Sequence, residues 1–197
     1  MKVKNFLNRN KFKGVSLLEL LIAIALAGIV GVLVAGIFFA NSRLFSDQQT
    51  SIAVSDQNRL ALDEITKEVR QSVKVVETCA GCGGETTGGN TLILRNWPID
   101  SAGKPIPPAG CFYDYIIYKR NTANNNLLKQ IIPHSSSART TSTKIIATDV
   151  VDLQFSYENP NPPDANQIST TVQTQASTIF GKTHSSAQEA KAVLRNR

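Results

Sequence analysis

The stretch Lys11-Phe12-Lys13-Gly14-Val15-Ser16-Leu17-Leu18-Glu19-Leu20-Leu21 decides the architecture of this chain. A basic leader stops at Gly14, and an apolar run begins at Val15 with a single acid, Glu19, near its start. No further charge occurs until Arg43. A lone carboxylate inside a membrane helix costs roughly 2.5–3.5 kcal/mol even on a lenient insertion scale. A sequence keeps such a cost where the acid has a partner, so Glu19 is the first functional candidate.

Working outward, residues 1–14 hold Lys2, Lys4, Arg9, Lys11 and Lys13 and no acid. Positive residues beside an apolar segment hold that end in the cytoplasm. Residues 15–40 would form a helix about 39 Å long at 1.5 Å per residue, whereas about 20 apolar residues span the hydrocarbon. No Ala-x-Ala cleavage site follows a short apolar core, as it would in an ordinary secretory signal. The run therefore reads as a retained, single-pass inner-membrane helix with its amino end inside and the remainder outside the cytoplasm. Ala23, Ala27, Gly31 and Ala35 recur every four residues and form a candidate helix-packing stripe, since small residues let helices approach closely in lipid.

Gly14 followed by Val15-Ser16-Leu17-Leu18-Glu19-Leu20 resembles the cleavage and methylation segment of type IV prepilins and type II secretion pseudopilins. The resemblance covers roughly the first 40 residues. It implies cleavage between Gly14 and Val15 by a membrane prepilin peptidase, then N-methylation of Val15. Glu19 becomes the fifth residue of the mature chain and the assembly acid, meeting the terminal amine of a neighbouring subunit. Val15 departs from the Phe more usual at the first mature position. The competing reading is a plain signal-anchor helix with a chance acid.

The formal charge of +6 would suggest a nucleic-acid partner. Five of the 21 basic residues lie in the leader, which leaves 16 against 15 acids and a net of +1 after cleavage. The basicity belongs to topology, and there is no clear nucleic-acid site.

Beyond the membrane segment, residues 41–72 contain no proline or glycine, and Leu62, Ile65, Val69 and Val73 fall at helical spacing. Leu44, Ile52 and Leu60 loosely precede this face. Asp63/Lys67 and Glu64/Glu68 are i,i+4 pairs of opposite and like sign, so charge patterning decides little. Residues 79–90 read as a loop, 91–97 as a short strand and 98–110, with four prolines, as a second loop. Residues 111–120 and 127–132 read as a hairpin around a 121–126 turn. The strongest strand signal is 144–157, where Val151, Leu153, Phe155 and Tyr157 alternate with polar residues. Residues 159–164 break the chain, 170–178 reads as a polar strand at an edge, and 188–197 is helix or strand.

The order of these pieces resembles PilW-type minor pilins and the J-type pseudopilin of type II secretion, more loosely than the first match. It rests on Asp56-Gln57-Asn58-Arg59 through Arg70, the Tyr-x-Ile-Tyr hairpin ending in Leu127-Leu128-Lys129, residues 146–157 and the terminal Leu194-Arg195-Asn196. The expected fold class is α+β: a long amino-terminal helix, membrane half plus amphipathic half, packed on an antiparallel β-sheet head of the type IV pilin kind. The expected divisions are 1–14 leader, 15–40 transmembrane assembly helix, 41–73 amphipathic half and 74–197 head.

Cys79, Cys82 and Cys111 are candidate disulfide partners, with Cys79–Cys82 and Cys82–Cys111 the leading pairings, because disulfides persist outside the cytoplasm. Cys111, His134 and His184 are too scattered for a zinc site, and no metal or cofactor is expected. No Gly-x-Ser-x-Gly elbow, His-Glu-x-x-His or phosphate loop occurs. Asp114, Asp149 and Asp152 are the acids that could approach one another across strands, more simply read as a solvent face. The chain is thus expected to be a non-enzymatic minor pilin or pseudopilin. Its expected partners are the prepilin peptidase, other pilins, the inner membrane and a filament assembly platform. The alternative is an adhesive or DNA-binding tip subunit, for which Phe112, Tyr113, Tyr115 and Tyr118 are the aromatic candidates.

Overall fold

The computed structural model describes residues 16–106 and 112–195. Gly14, Val15 and Cys111 lie outside the described residues. The chain divides into two compact units between Phe45 and Ser46.

Helix α1, Leu17–Gln71, runs through 55 residues. It opens where the Leu20 amide donates to the Ser16 carbonyl at 3.1 Å. It closes where Ser72 turns back on it: the Ser72 amide donates to the Val69 carbonyl and its hydroxyl to the Glu68 carbonyl at 2.6 Å. The Val73 amide then donates to the Arg95 carbonyl, which hands the chain to the sheet.

Among the described residues the head holds two antiparallel sheets, as the α+β expectation requires. The first has the order β1 (Lys74–Val75), β2 (Thr91–Asn96), β3 (Asp114–Asn121), β4 (Asn126–Ile132), β5 (Ser142–Ala147), a meander in which each strand pairs with the next. The second has the order β6 (Val150–Tyr157), β7 (Gln167–Ser177), β8 (Thr183–Val193). A 3-10 turn, Pro162–Asp164, links β6 to β7.

Three sequence expectations are corrected. The single strand signal over 144–157 is two strands in different sheets, divided at Thr148–Asp149, where Asp149 takes φ 57°. Asp tolerates the left-handed region better than most residues because its short polar side chain bonds locally, and here the chain steps from one sheet to the other. The polar 170–178 stretch is not an edge: β7 pairs with β6 on one side and β8 on the other. Its inward Thr170 and Thr174 are buried, and the Thr174 hydroxyl donates to the Val54 carbonyl of the helix at 3.0 Å. Leu44, Ile52 and Leu60 do not precede the core face; all three are exposed. The buried helix face is Val54, Asn58, Ala61, Leu62, Ile65 and Val69. The ambiguous carboxyl-terminal stretch resolves as strand β8 to Val193.

Ala61, Leu62, Ile65 and Val69 of that face form one core with Leu92, Leu94, Ile116, Tyr118, Leu127, Val150, Leu153, Phe155, Ile168 and Val172. Strand alternation sends Ile93 and Ile117 to the opposite face of the first sheet, where Cys82 covers them. Truncating Leu94 or Ile116 to alanine is the kind of change that costs about 2–5 kcal/mol.

Tyr118 is fully buried, and its hydroxyl has no hydrogen-bond partner among the described residues. Burial pushes that hydroxyl well above its ordinary range of ionisation. An orphaned buried donor carries its desolvation cost without return. Tyr118→Phe is therefore expected to match or exceed the wild-type unfolding free energy, by up to about 1 kcal/mol in denaturant titration.

Candidate functional site

Every described residue from 16 to 41 is exposed. Leu17, Leu18, Leu20 and Leu21 surround Glu19 and are exposed among the described residues. Glu19 sits in the first turn of α1, where the unpaired amides and the helix dipole favour a negative charge. It is the sole ionisable group between Ser16 and Ser42. The helix is long and apolar enough to cross a membrane. A surface of this kind is stable only against lipid tails or other apolar helices. Of the small-residue stripe, Gly31 has open space where a Cβ would stand, as do Gly28 and Gly36 on other faces.

The head carries two ordered polar clusters. In the first, Lys129 of β4 donates to Glu64 Oε1 at 2.6 Å and to Glu68 Oε1 at 2.7 Å. Asn96 donates to the second Glu68 oxygen at 3.3 Å. The Lys129 side chain is 9 % exposed and that of Glu68 13 %. The like-sign i,i+4 pair on α1 is thus the two jaws that receive one strand-borne cation. The hydrogen bond from Lys129 holds the Glu64 carboxyl below the usual range. For Lys129 burial pulls the ammonium down, and the two carboxylate bonds more than offset it, so it stays charged above its ordinary range.

In the second cluster Asp114, fully buried, accepts from the His134 amide at 2.8 Å, the Ser137 hydroxyl at 2.7 Å and Arg139 Nη1 at 2.8 Å. The same guanidinium nitrogen donates to the Trp97 carbonyl at 3.0 Å. The Asp114 carboxylate on β3 therefore holds the loop after β4, and Arg139 ties that loop to the loop after β2. The His134 ring pairs with the Ser136 hydroxyl at 2.8 Å, whereas Asp114 takes only the His134 backbone amide. An acid that does not touch the ring cannot orient it as a triad requires, so this arrangement fixes loops.

The three acids singled out in the sequence bond to separate neighbours. Asp114 takes Arg139, Asp152 accepts from Gln154, and Asp149 accepts from the Thr148 hydroxyl. Of the aromatic candidates, Tyr118 belongs to the core. Phe112 stacks on His134, and Tyr113 lies between Trp97 and the Arg95 guanidinium, which stands 4.2 Å from its ring centre.

Cys79 and Cys82 are joined by a disulfide, which removes both from metal ligation and sets aside the Cys82–Cys111 pairing. The bonded loop lies over Ile93 and Ile117. Closing a loop this short restricts the unfolded chain by about 2 kcal/mol in the chain-entropy model. A Cys79→Ser/Cys82→Ser variant is expected to lose about that much from its unfolding free energy, and a reductant should bring the native protein to the same denaturant midpoint.

Residues 9–35 match the family model described as the prokaryotic N-terminal methylation motif. The chain matches no curated protein and no solved structure. The motif supports a type IV prepilin-like precursor and implies processing by a prepilin peptidase and assembly with other pilins. The apolar helix and the motif agree with single-pass anchoring in the inner membrane. The long helix packed on antiparallel sheets agrees with a pilin-like α+β fold.

Proposed function

We propose that this chain is a minor pilin or pseudopilin, a structural subunit that joins, and helps to initiate, a type IV pilus-like or type II secretion filament. The observation that carries the reading is the lone Glu19 in the first turn of an apolar helix uncovered over residues 16–41, within the methylation motif. On this reading the peptidase cuts at Gly14–Val15 and methylates Val15. The new amine on one subunit then meets Glu19 of another. In the low dielectric of the helix bundle the pair is strong, and a misplaced subunit leaves a charge unpaired. The stripe Ala23, Ala27, Gly31 and Ala35 lets neighbouring helices approach. The head supplies contacts to other minor subunits, and the order of its elements supports a minor over a major role.

Intact mass tests the reading. In a host with the prepilin peptidase, the protein is expected to weigh what residues 15–197 plus one methyl group weigh. In a host without it, the mass should be that of residues 1–197. An uncut chain in both hosts would leave a signal-anchor protein and overturn the proposal.

A further inference from the structure

We propose that the head carries a charge-matched contact between copies of this chain, in which the groove holding Asp56 and Asp149 on one copy receives Lys67, Arg70 and Arg195 of the next. The inference deepens the filament reading above and rests on it for the common polarity of the copies.

Both halves of the contact lie in the unit that begins at Ser46. Near the carboxyl end of α1, Asp63, Thr66, Lys67, Arg70 and Gln71 line a groove that Arg195 completes from beyond β8. Three cations thus share one groove with one acid. The helix dipole favours a cation in the last turn, which accounts for Arg70. It gives no reason for Arg195, which comes from the far end of the sequence. Lys67, Arg70 and Arg195 make no ion pair or side-chain hydrogen bond among the described residues. Like charges held together repel one another and gain from an outside anion.

A second groove has the opposite sign. The charged residues of its wall are Asp56 and Asp149, and no cation lines it among the described residues. Asp149 is held in place: its carbonyl accepts from the Gln175 amide at 2.9 Å, and Gln57 Oε1 takes both the amide and the hydroxyl of the adjoining Thr148. Its carboxylate accepts from the neutral Thr148 hydroxyl.

The two grooves cannot serve each other. Asp56 precedes Lys67 and Arg70 by about 16 and 21 Å of helix at 1.5 Å per residue, roughly twice the screening length at physiological salt or more. They do share a face. Asp56, Leu60, Asp63, Lys67 and Arg70 follow at spacings of four and three, which sets them along one stripe, with Leu60 66 % exposed between the outer acid and the bases. A second copy displaced along the helix by that same distance brings its bases opposite the acids of the first. Each copy still offers one free groove, so the contact repeats rather than closes. A nucleic acid suits the basic groove less well. Asp63 stands in its wall, no aromatic residue lines it among the described residues, and phosphate would leave the acidic groove without a partner.

The test uses the full chain in detergent, followed by sedimentation equilibrium at about 50 and 500 mM salt. Wild type should associate past the dimer as concentration rises, and its association constant should fall about tenfold at the higher salt, the size expected for two or three exposed pairs. Asp56→Lys and Lys67→Glu/Arg70→Glu chains should each lose the salt-dependent association alone and regain it when mixed in equal amounts. Recovery on mixing also shows that both variants fold. Association that is equal in all three and indifferent to salt would come from the apolar run and would overturn the contact. Growth that stops at a dimer would mean a reciprocal pair and would overturn the stagger. Binding of a duplex oligonucleotide by wild type but not by Lys67→Glu/Arg70→Glu, without charge-dependent self-association, would assign the basic groove to phosphate and overturn the proposal. Intact mass keeps the two readings apart. A chain cut at Gly14–Val15 that shows no salt-dependent association loses this contact alone, whereas an uncut chain that shows it keeps the contact and loses the filament reading.

Discussion

Replacing Lys129 with alanine is expected to lower the unfolding free energy of the head by about 3 kcal/mol. The full chain in detergent should show this as a fall in the denaturant midpoint with little change in slope. The cost comes less from the lost bonds than from what remains. Glu64 and Glu68 would face each other one helical turn apart, Glu68 almost buried and left with the hydrogen bond from the Asn96 amide. Breaking a buried ion pair from one side costs about 3–5 kcal/mol, and the lower end applies because the Glu64 side chain is 32 % exposed. Lys129→Met separates the causes, since it restores the methylene packing and leaves the carboxylates orphaned. It should recover little. Lys129→Met combined with Glu68→Met should recover most of the loss, because an apolar replacement of a whole buried network is often neutral.

The pH dependence has a definite sign. The folded-state pKa of Glu64 is lowered, so its stabilising contribution is present above the unfolded value of about 4.3 and is lost as pH falls through the folded value. The folded-state pKa of Lys129 is raised. Its contribution is present below the unfolded value of about 10.4 and is lost as pH rises through the folded one. The difference between wild type and Lys129→Ala should therefore be flat from about pH 5 to pH 10 and shrink below about pH 4. A difference that stayed constant into acid would mean that packing, not charge, carries the effect.

This cluster also shows what a single sequence discloses and what it withholds. Leu62, Ile65 and Val69 are legible because an amphipathic helix repeats its apolar residues at the helical period. Glu64 and Glu68 look merely repulsive until β4 delivers Lys129 from 61 residues away along the chain, and no local pattern encodes that meeting. Asn58 hides the start of the buried face for the same reason. A polar residue reads as exposed, yet its amide donates to the Ser186 carbonyl at 2.7 Å. Thr174 does likewise through the Val54 carbonyl, so β7 read as a solvent edge while lying at the centre of its sheet. Leu60 erred in the other direction, since an isolated apolar residue on a helix need not face the core. The methylation motif was legible because its information is local: a glycine, an apolar run and one acid at fixed spacing, within residues 9–35.

Glu19→Leu is expected to leave cleavage and membrane insertion intact and to abolish entry into filaments. The two halves of that outcome follow from one energy. Removing the acid relieves an insertion cost of roughly 2.5 kcal/mol or more, so the variant should anchor at least as well as the wild type. The same acid, when paired with the amine of a neighbour, turns that cost into a preference for the docked register. Every 1.4 kcal/mol is tenfold, so losing about 2.5 kcal/mol reduces the preference for the correct site roughly fiftyfold. Glu19→Gln keeps the size and hydrogen-bonding capacity without the charge, and should fail nearly as badly if the partner is an ammonium group. Co-purification of the variant with its partner subunits, scaled to the membrane-anchored and cleaved pool, measures the effect. Equal incorporation of Glu19→Leu and wild type would mean that Glu19 serves some step other than registration. Loss of cleavage in the variant would place its role at the peptidase. Only intact cleavage with lost incorporation assigns the carboxylate to the contact between neighbouring helices, where Glu19 is the sole ionisable group between Ser16 and Ser42 and so the one charge that can distinguish one register from the next.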